Sequence, residues 1–228
     1  MNKNKNIYLA FDVDGTLYDA GDFLVDAYKK GIINFLKSFD KKKIKIPTIE
    51  DIMPVLGMPV EEIFTRLFPN LNQSEKLELS EYCTKSEVEI IRKGGGRLFD
   101  GVAPVIESLH KGGYKILVAS NGDEDYVSAI LETFKLISYF SRPLLYVNHE
   151  FPDKSDIIRY YKQNVSKENL LIMIGDRDSD LRAAEVNDIP FIGCSFGHAG
   201  NEEIGRTKWI AKNFEEIPEI LGEIENEY

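Results

Sequence analysis

Ile7-Tyr8-Leu9-Ala10-Phe11-Asp12-Val13-Asp14-Gly15-Thr16 is the stretch on which the fold turns. Its first five residues form an apolar run of strand length, the pattern of a strand buried on both faces. The run ends in two acids one residue apart and then a glycine turn, which puts both carboxylates at the carboxyl end of the strand. In open α/β sheets that end opens onto the ligand crevice. Two crowded carboxylates repel each other, and a structural role leaves the repulsion standing unless a cation or a shared proton offsets it. A surface turn explains Asp14-Gly15 alone. It explains poorly why an apolar strand delivers Asp12 to the same place.

Downstream, residues 20–96 carry helical periodicity and few strand signals. Phe23, Ala27, Tyr28, Gly31, Ile32 and Phe35 recur at helix spacing, and Val60, Ile63, Phe64 and Leu67 repeat the pattern after Pro59. Leu77, Leu79, Tyr82, Val88 and Ile91 predict one further long helix or two, and Lys41-Lys42-Lys43-Ile44-Lys45 reads as a solvated loop. After Gly94-Gly95-Gly96 the chain alternates. Strands are expected at 114–119, 144–147, 170–174 and 191–193, with a short edge strand at 209–211. Helices are expected at 104–110, 124–136, 155–161, 181–186 and 215–224. This alternation predicts an α/β fold, a doubly wound parallel sheet with a Rossmann-like core and an inserted α-helical cap domain. The boundaries are 1–19 and 97–228 for the core and 20–96 for the cap.

A chain of 228 residues can bury one large core or a core and a smaller module. The formal net charge of −10 argues against nonspecific nucleic-acid or anionic-membrane binding, both of which need basic surface. No apolar stretch has the length of a bilayer span, and the amino terminus lacks signal-peptide character. The two cysteines, Cys83 and Cys194, lie outside any metal-type spacing, which fits a reducing compartment and predicts a cytoplasmic protein. Two matches to the glycosylation acceptor pattern, at Asn72 and Asn164, are then chance.

Several predicted strands end in polar residues out of character with their apolar bodies. The strand at 114–119 runs into Ser120-Asn121-Gly122, and that at 170–174 into Gly175-Asp176-Arg177-Asp178-Ser179-Asp180. Lys154 opens a predicted helix after the 144–147 strand. All these groups and the first acids should face one crevice. Two readings stand for each. Ser120 and Asn121 can donate to an anion or form an ordinary turn and cap; Lys154 can be a fixed charge or plain surface. Asp178 and Asp180 can serve as helix-start acids, a reading that suits Asp176 poorly because it follows its strand as Asp12 follows its own. Together they offer oxygen ligands for a hard dication and donors for an anion, and magnesium fits best. His110, His149, His198 and the two distant cysteines assemble no zinc site.

With these residues in order, the chain resembles the haloacid dehalogenase superfamily of aspartate-nucleophile phosphohydrolases. The resemblance rests on Asp12 to Thr16, Ser120-Asn121, Lys154, and Gly175-Asp176 with Asp180. Leu98-Phe99-Asp100-Gly101-Val102 is similar to the return segment of the phosphoglycolate phosphatase and β-phosphoglucomutase branch. The resemblance implies a magnesium-dependent phosphatase acting on a small phosphorylated metabolite through an aspartyl-phosphate. It assigns Asp12 as nucleophile, Asp14 as proton carrier, Thr16 as the residue orienting Asp14, and Ser120, Asn121 and Lys154 as phosphoryl-binding groups. Magnesium would be held by Asp12, Asp176 and the backbone carbonyl of Asp14, with Asp180 behind them or joining them. The oligomeric state is not legible.

Asp14 excludes a dehalogenase, all three histidines lie outside 20–96 where a mutase would carry one, and no phosphonatase cap-lysine motif occurs. Pyrophosphatase and mutase activity remain alternatives on the same fold. A receiver-type binding module is shorter and lacks a helical insertion after its first strand. Gly193-Cys194-Ser195-Phe196-Gly197 matches a serine nucleophile elbow, but only the near-adjacent His198 follows it. It reads better as the loop after the last central strand, on the crevice rim. Arg66, Lys93 and Arg97 read as solvated helix or hinge residues.

Overall fold

The structure is a computed structural model that describes residues 6–21, 23–38, 43–166, 168–198 and 201–228. β1 (Ile7–Phe11) lies at the centre of a six-stranded sheet. On one side it pairs with β4 (Lys115–Ser120), which pairs with β5 (Leu145–Tyr146). On the other it pairs with β6 (Leu170–Gly175), followed by β7 (Phe191–Cys194) and β8 (Trp209–Ala211). Every pairing is parallel, and the predicted edge strand is β8.

Alternation within the strands sorts the core into two layers. Leu9, Phe11, Ile116, Val118, Ile172 and Ile174 join one cluster, which contains Val102 and Ile106 of α5 (Val102–Lys111), Val127 and Ile130 of α6 (Glu124–Thr133) and Leu221 of the carboxyl-terminal helix Ile217–Glu227. Ala10, Leu117, Ala119, Leu171 and Met173 join the other, with Ile157 and Ile158 of α7 (Lys154–Asn164) and Leu181, Ala183 and Ala184 of α8 (Asp178–Val186). Both faces of the sheet are therefore covered, as parallel pairing requires. β1 also sits where strand order reverses, so the crevice opens at its carboxyl end.

Between β1 and the rest of the sheet, α1 (Phe23–Ser38) packs along α4 (Gln73–Ile91), with α2 (Ile49–Ile52) on α1 and α3 (Val60–Leu67) on α4. Gly31 permits this closeness, since a Cβ there would press into the Cys83 backbone. Leu79 to Ile91 form one helix, not two; Leu77, placed on its apolar stripe by sequence, is 65% exposed. α2 was not expected; Thr48 and Asp51 form its capping box. Also unexpected are β2 (Tyr18–Asp19) and β3 (Arg97–Leu98), an antiparallel pair where the chain leaves and re-enters the sheet layer. The helix expected through 136 ends at Thr133, and Lys135 then adopts φ 60°, which a continuing helix cannot accommodate. Lys43 and Lys45 are exposed as expected, while Lys41 and Lys42 lie outside the described residues. No helix among the described residues is long and apolar enough to cross a membrane.

Candidate active site

Asp12 follows β1 directly, and its N–H donates to the Ile174 carbonyl at 2.9 Å, extending the ladder by one step. The residue is 2% exposed. One carboxylate oxygen, Oδ1, accepts from Lys154 Nζ at 2.8 Å; the other, Oδ2, is buried without a hydrogen bond. Gly15 turns the chain away at φ +79°, and a Cβ there would collide with the Asp176 carboxylate.

Three helix starts aim the remaining groups. Asp153 and Asp156 cap α7 reciprocally, which places Lys154 at its first position and turns the buried ammonium toward the sheet end. Lys154 Nζ also contacts Asp180 Oδ1 at 2.5 Å. At α8, the Arg177 N–H donates to Asp180 Oδ2 at 3.0 Å, so both Asp180 oxygens are occupied. Gly175 makes room for this arrangement, since any Cβ there would overlap the Asp180 carboxyl. At α6, Asp123 accepts from the Tyr126 N–H at 2.9 Å and fixes Tyr126 in the first turn; its hydroxyl donates to Asp14 Oδ1 at 2.6 Å.

Asp176 Oδ2 accepts the His198 N–H at 2.8 Å. The loop after β7 therefore rims the crevice, and Ser195 Oγ is turned to the Ala211 carbonyl at 3.0 Å, away from nucleophile duty. Asp12, Asp176 and Asp180 each offer an oxygen within 4.8 Å of the others. Ser120 Oγ accepts the Gly122 N–H at 3.0 Å, which leaves its own proton to donate.

The electrostatics follow from burial. Desolvation pushes the Asp12 carboxyl up to about 6 despite Lys154, with Asp176 adding to the rise. It pushes Asp14 up to about 6 against the Tyr126 hydrogen bond, and Asp180 up to about 7 against Lys154. Burial opposes the Lys154 charge, but Asp12 and Asp180 outweigh it and hold the ammonium above the ordinary lysine value. The site is thus over-supplied with carboxylate, which a hard cation held by all-oxygen ligands would correct. The donor set, three buried carboxylates with oxygens within 4.8 Å of one another, fits magnesium.

The structure brings Asp12, Asp14, Ser120, Asn121, Lys154, Asp176 and Asp180 to one sheet end. Thr16 is fully buried beside the Cys194 thiol and makes no hydrogen bond to Asp14, so the orienting role expected of it falls to Tyr126. Asn121 Nδ2 donates to the Gly57 carbonyl at 2.7 Å, and the Arg177 guanidinium donates to the Leu56 carbonyl. Two core residues therefore grip the loop between α2 and α3. Arg177, 6% exposed, was not singled out in sequence, although an arginine amid three acids at a strand end is a visible signal. Arg66 pairs with Glu62 and Arg97 with Asp19, both arginines at the surface.

The family model of haloacid dehalogenase-like hydrolases matches residues 9–194. The chain belongs to that family. It is an enzyme, a haloacid dehalogenase-like phosphohydrolase. Among its relatives, the pyrophosphatase PpaX of Listeria innocua is 26% identical over 201 aligned positions, covering 87% of each chain. The phosphoglycolate phosphatase of Salmonella typhi is 23% identical, covering 97% of this chain and 95% of its own. A crystal structure described as a predicted phosphatase from Clostridium acetobutylicum superposes with a TM-score of 0.75 at 24% identity, over 96% of this hydrolase and 100% of that chain. CbbY from Rhodobacter sphaeroides, solved in complex with phosphate, gives 0.69 at 18% identity, over 92% and 95%. At these identities the two structures establish the fold of the hydrolase and nothing finer.

Proposed function

We propose that this hydrolase is a magnesium-dependent phosphatase that cleaves a small phosphomonoester through an aspartyl-phosphate on Asp12. The observation that carries the reading is the asymmetry of Asp12: Lys154 holds one oxygen and the other is buried without a hydrogen bond. A carboxylate so fixed presents a single nucleophilic oxygen.

In the first step the Asp12 oxygen forms a bond to phosphorus as the ester P–O bond breaks, and Asp14 gives its proton to the departing alkoxide. In the second, Asp14 takes a proton from water, whose oxygen attacks phosphorus and returns Asp12 as a carboxylate. An acid near 6, oriented by Tyr126, suits both tasks near neutral pH. Ser120, Asn121 and Lys154 supply donors where phosphoryl charge develops. Asp12, Asp176 and the Asp14 carbonyl would hold magnesium, which when bound polarises a phosphoryl oxygen and offsets the carboxylate charge. Asp180, with both oxygens engaged, supports Lys154 and Asp12 from behind. The helical layer of residues 20–96 is read as a cap over the leaving group. The relative named pyrophosphatase keeps a phosphoanhydride substrate as the second reading.

Phosphate release is to be followed with magnesium over a panel of monoesters and pyrophosphate, for wild type and Asp12→Asn. Metal-dependent release by wild type and a loss of at least a thousandfold in the mutant are expected. Equal activity in the mutant, or no release from any substrate, overturns the mechanism.

A further inference from the structure

Between the helical layer and Asp14 lies a cavity of about 50 Å³ whose walls include Tyr28, Phe64, Thr84, Glu87, Asp123 and Tyr126. Tyr28 and Phe64 stack with ring centroids 5.8 Å apart and planes 15° from parallel. Glu87 comes from α4, on the face that Cys83 and Ile91 bury against the rest of the layer. It makes no hydrogen bond or ion pair among the described residues. Burial, with Asp14 and Asp123 nearby, pushes its carboxyl up to about 8, and no cation counters them.

The cations at this site lie elsewhere. Lys154 is held by Asp12 and Asp180, and Arg177 by Glu203 and the Leu56 carbonyl. The ammonium therefore sits between Asp12 and Asp180 and the guanidinium lies behind Leu56 and Gly57, while the cavity itself is lined by carboxyl groups, aromatic faces and aliphatic side chains with no lysine, arginine or histidine. An anionic leaving group would lie beside Asp14 and Asp123 and would find no lysine, arginine or histidine among the lining residues. A cation would draw the Glu87 carboxyl into its charged form and meet ring faces as well, the two environments that stabilise an ammonium leaving water. The small volume limits it to a few heavy atoms.

We propose that Glu87 is a specificity-determining residue and that this hydrolase acts on phosphate esters of short amino alcohols, with the substrate ammonium seated against Glu87. The inference rests on the phosphatase reading above. It sets this chain apart from its relatives named for phosphoglycolate and pyrophosphate, both of which carry anionic leaving groups.

Three esters of equal reach separate the cases: 2-aminoethyl phosphate, 2-hydroxyethyl phosphate and phosphoglycolate, compared by kcat/KM with magnesium. Wild type is expected to favour the ammonium ester over the neutral one by about ten- to a hundredfold, the range of a charge-assisted hydrogen bond, and to favour phosphoglycolate least. Glu87→Gln is expected to shrink the ammonium-to-neutral ratio by at least tenfold. Because the ratio is taken within one preparation, partial misfolding of the mutant cancels. A wild-type preference for the neutral or anionic ester, or a ratio unmoved by Glu87→Gln, overturns the assignment. In either case, release from any monoester of the panel above that Asp12→Asn abolishes would leave the phosphatase reading standing. Silence toward all of them removes both.

Discussion

Lys154→Met removes the one buried cation that touches both Asp12 and Asp180. The methionine fills nearly the same volume, so the expected loss is electrostatic rather than one of packing. Breaking a buried pair by deleting one partner costs about 3–5 kcal/mol because the other charge is left uncompensated, and here two carboxylates are stranded, at contacts of 2.8 and 2.5 Å. For a chain of this length about 1 kcal/mol moves Tm by roughly 2–4 °C, which gives a loss of about 6–20 °C at pH 8. The pH dependence fixes the cause. Asp12 and Asp180 stand at about 6 and 7 in the fold, above their ordinary value near 4. Their contribution to stability is full below pH 4 and is lost as pH rises through 6 to 7. Without Lys154 that window moves upward and the loss deepens, so the mutant's deficit should shrink between pH 8 and pH 5. Calorimetric melting of metal-free protein at the two pH values measures it, and Lys154→Met with Asp180→Asn should recover part of the loss, since one stranded charge is gone. A deficit independent of pH, or no deficit at pH 8, would refute the reasoning.

Tyr126→Phe should raise the Asp14 pKa, because the phenol favours its charged form, and should shift the alkaline limb of kcat/KM upward; an unmoved pH profile would show that Asp14 is not the titrating acid. Magnesium at a hundred times its Kd should stabilise the fold by about 2.7 kcal/mol at pH 7.5 and by clearly less at pH 5, where protons compete for Asp12. Thermal melts with and without the ion test this, and an equal effect at both pH values would place its binding away from the raised carboxylates.

The architecture was legible because apolar runs of strand length ending in acids or small polar residues report parallel strands and their ligand-facing ends together. Ile7–Phe11 and Leu170–Gly175 both carry that signature. Lys154 was visible only through order along the chain, since one lysine at a helix start says nothing until the fold aims it at Asp12. Elements of two to four residues, β2, β3 and α2, are too short to express a period. Tyr126 was hidden because its role needs contact with a residue 112 positions away. Glu87 was readable in principle: it stands four residues from Cys83 and four from Ile91, an acid on a helix face that is otherwise buried.

A hydrogen atom in place of a methyl at residue 175 has a reach out of proportion to its size. The gap lets Asp180 fold back over the strand end, Asp180 steadies Lys154, and Lys154 sets the orientation of Asp12. The Asp12 carboxylate is thus tied, through three side chains, to an absent carbon on the neighbouring strand. On the proposed mechanism, an added methyl at residue 175 would therefore disturb the nucleophile without touching it.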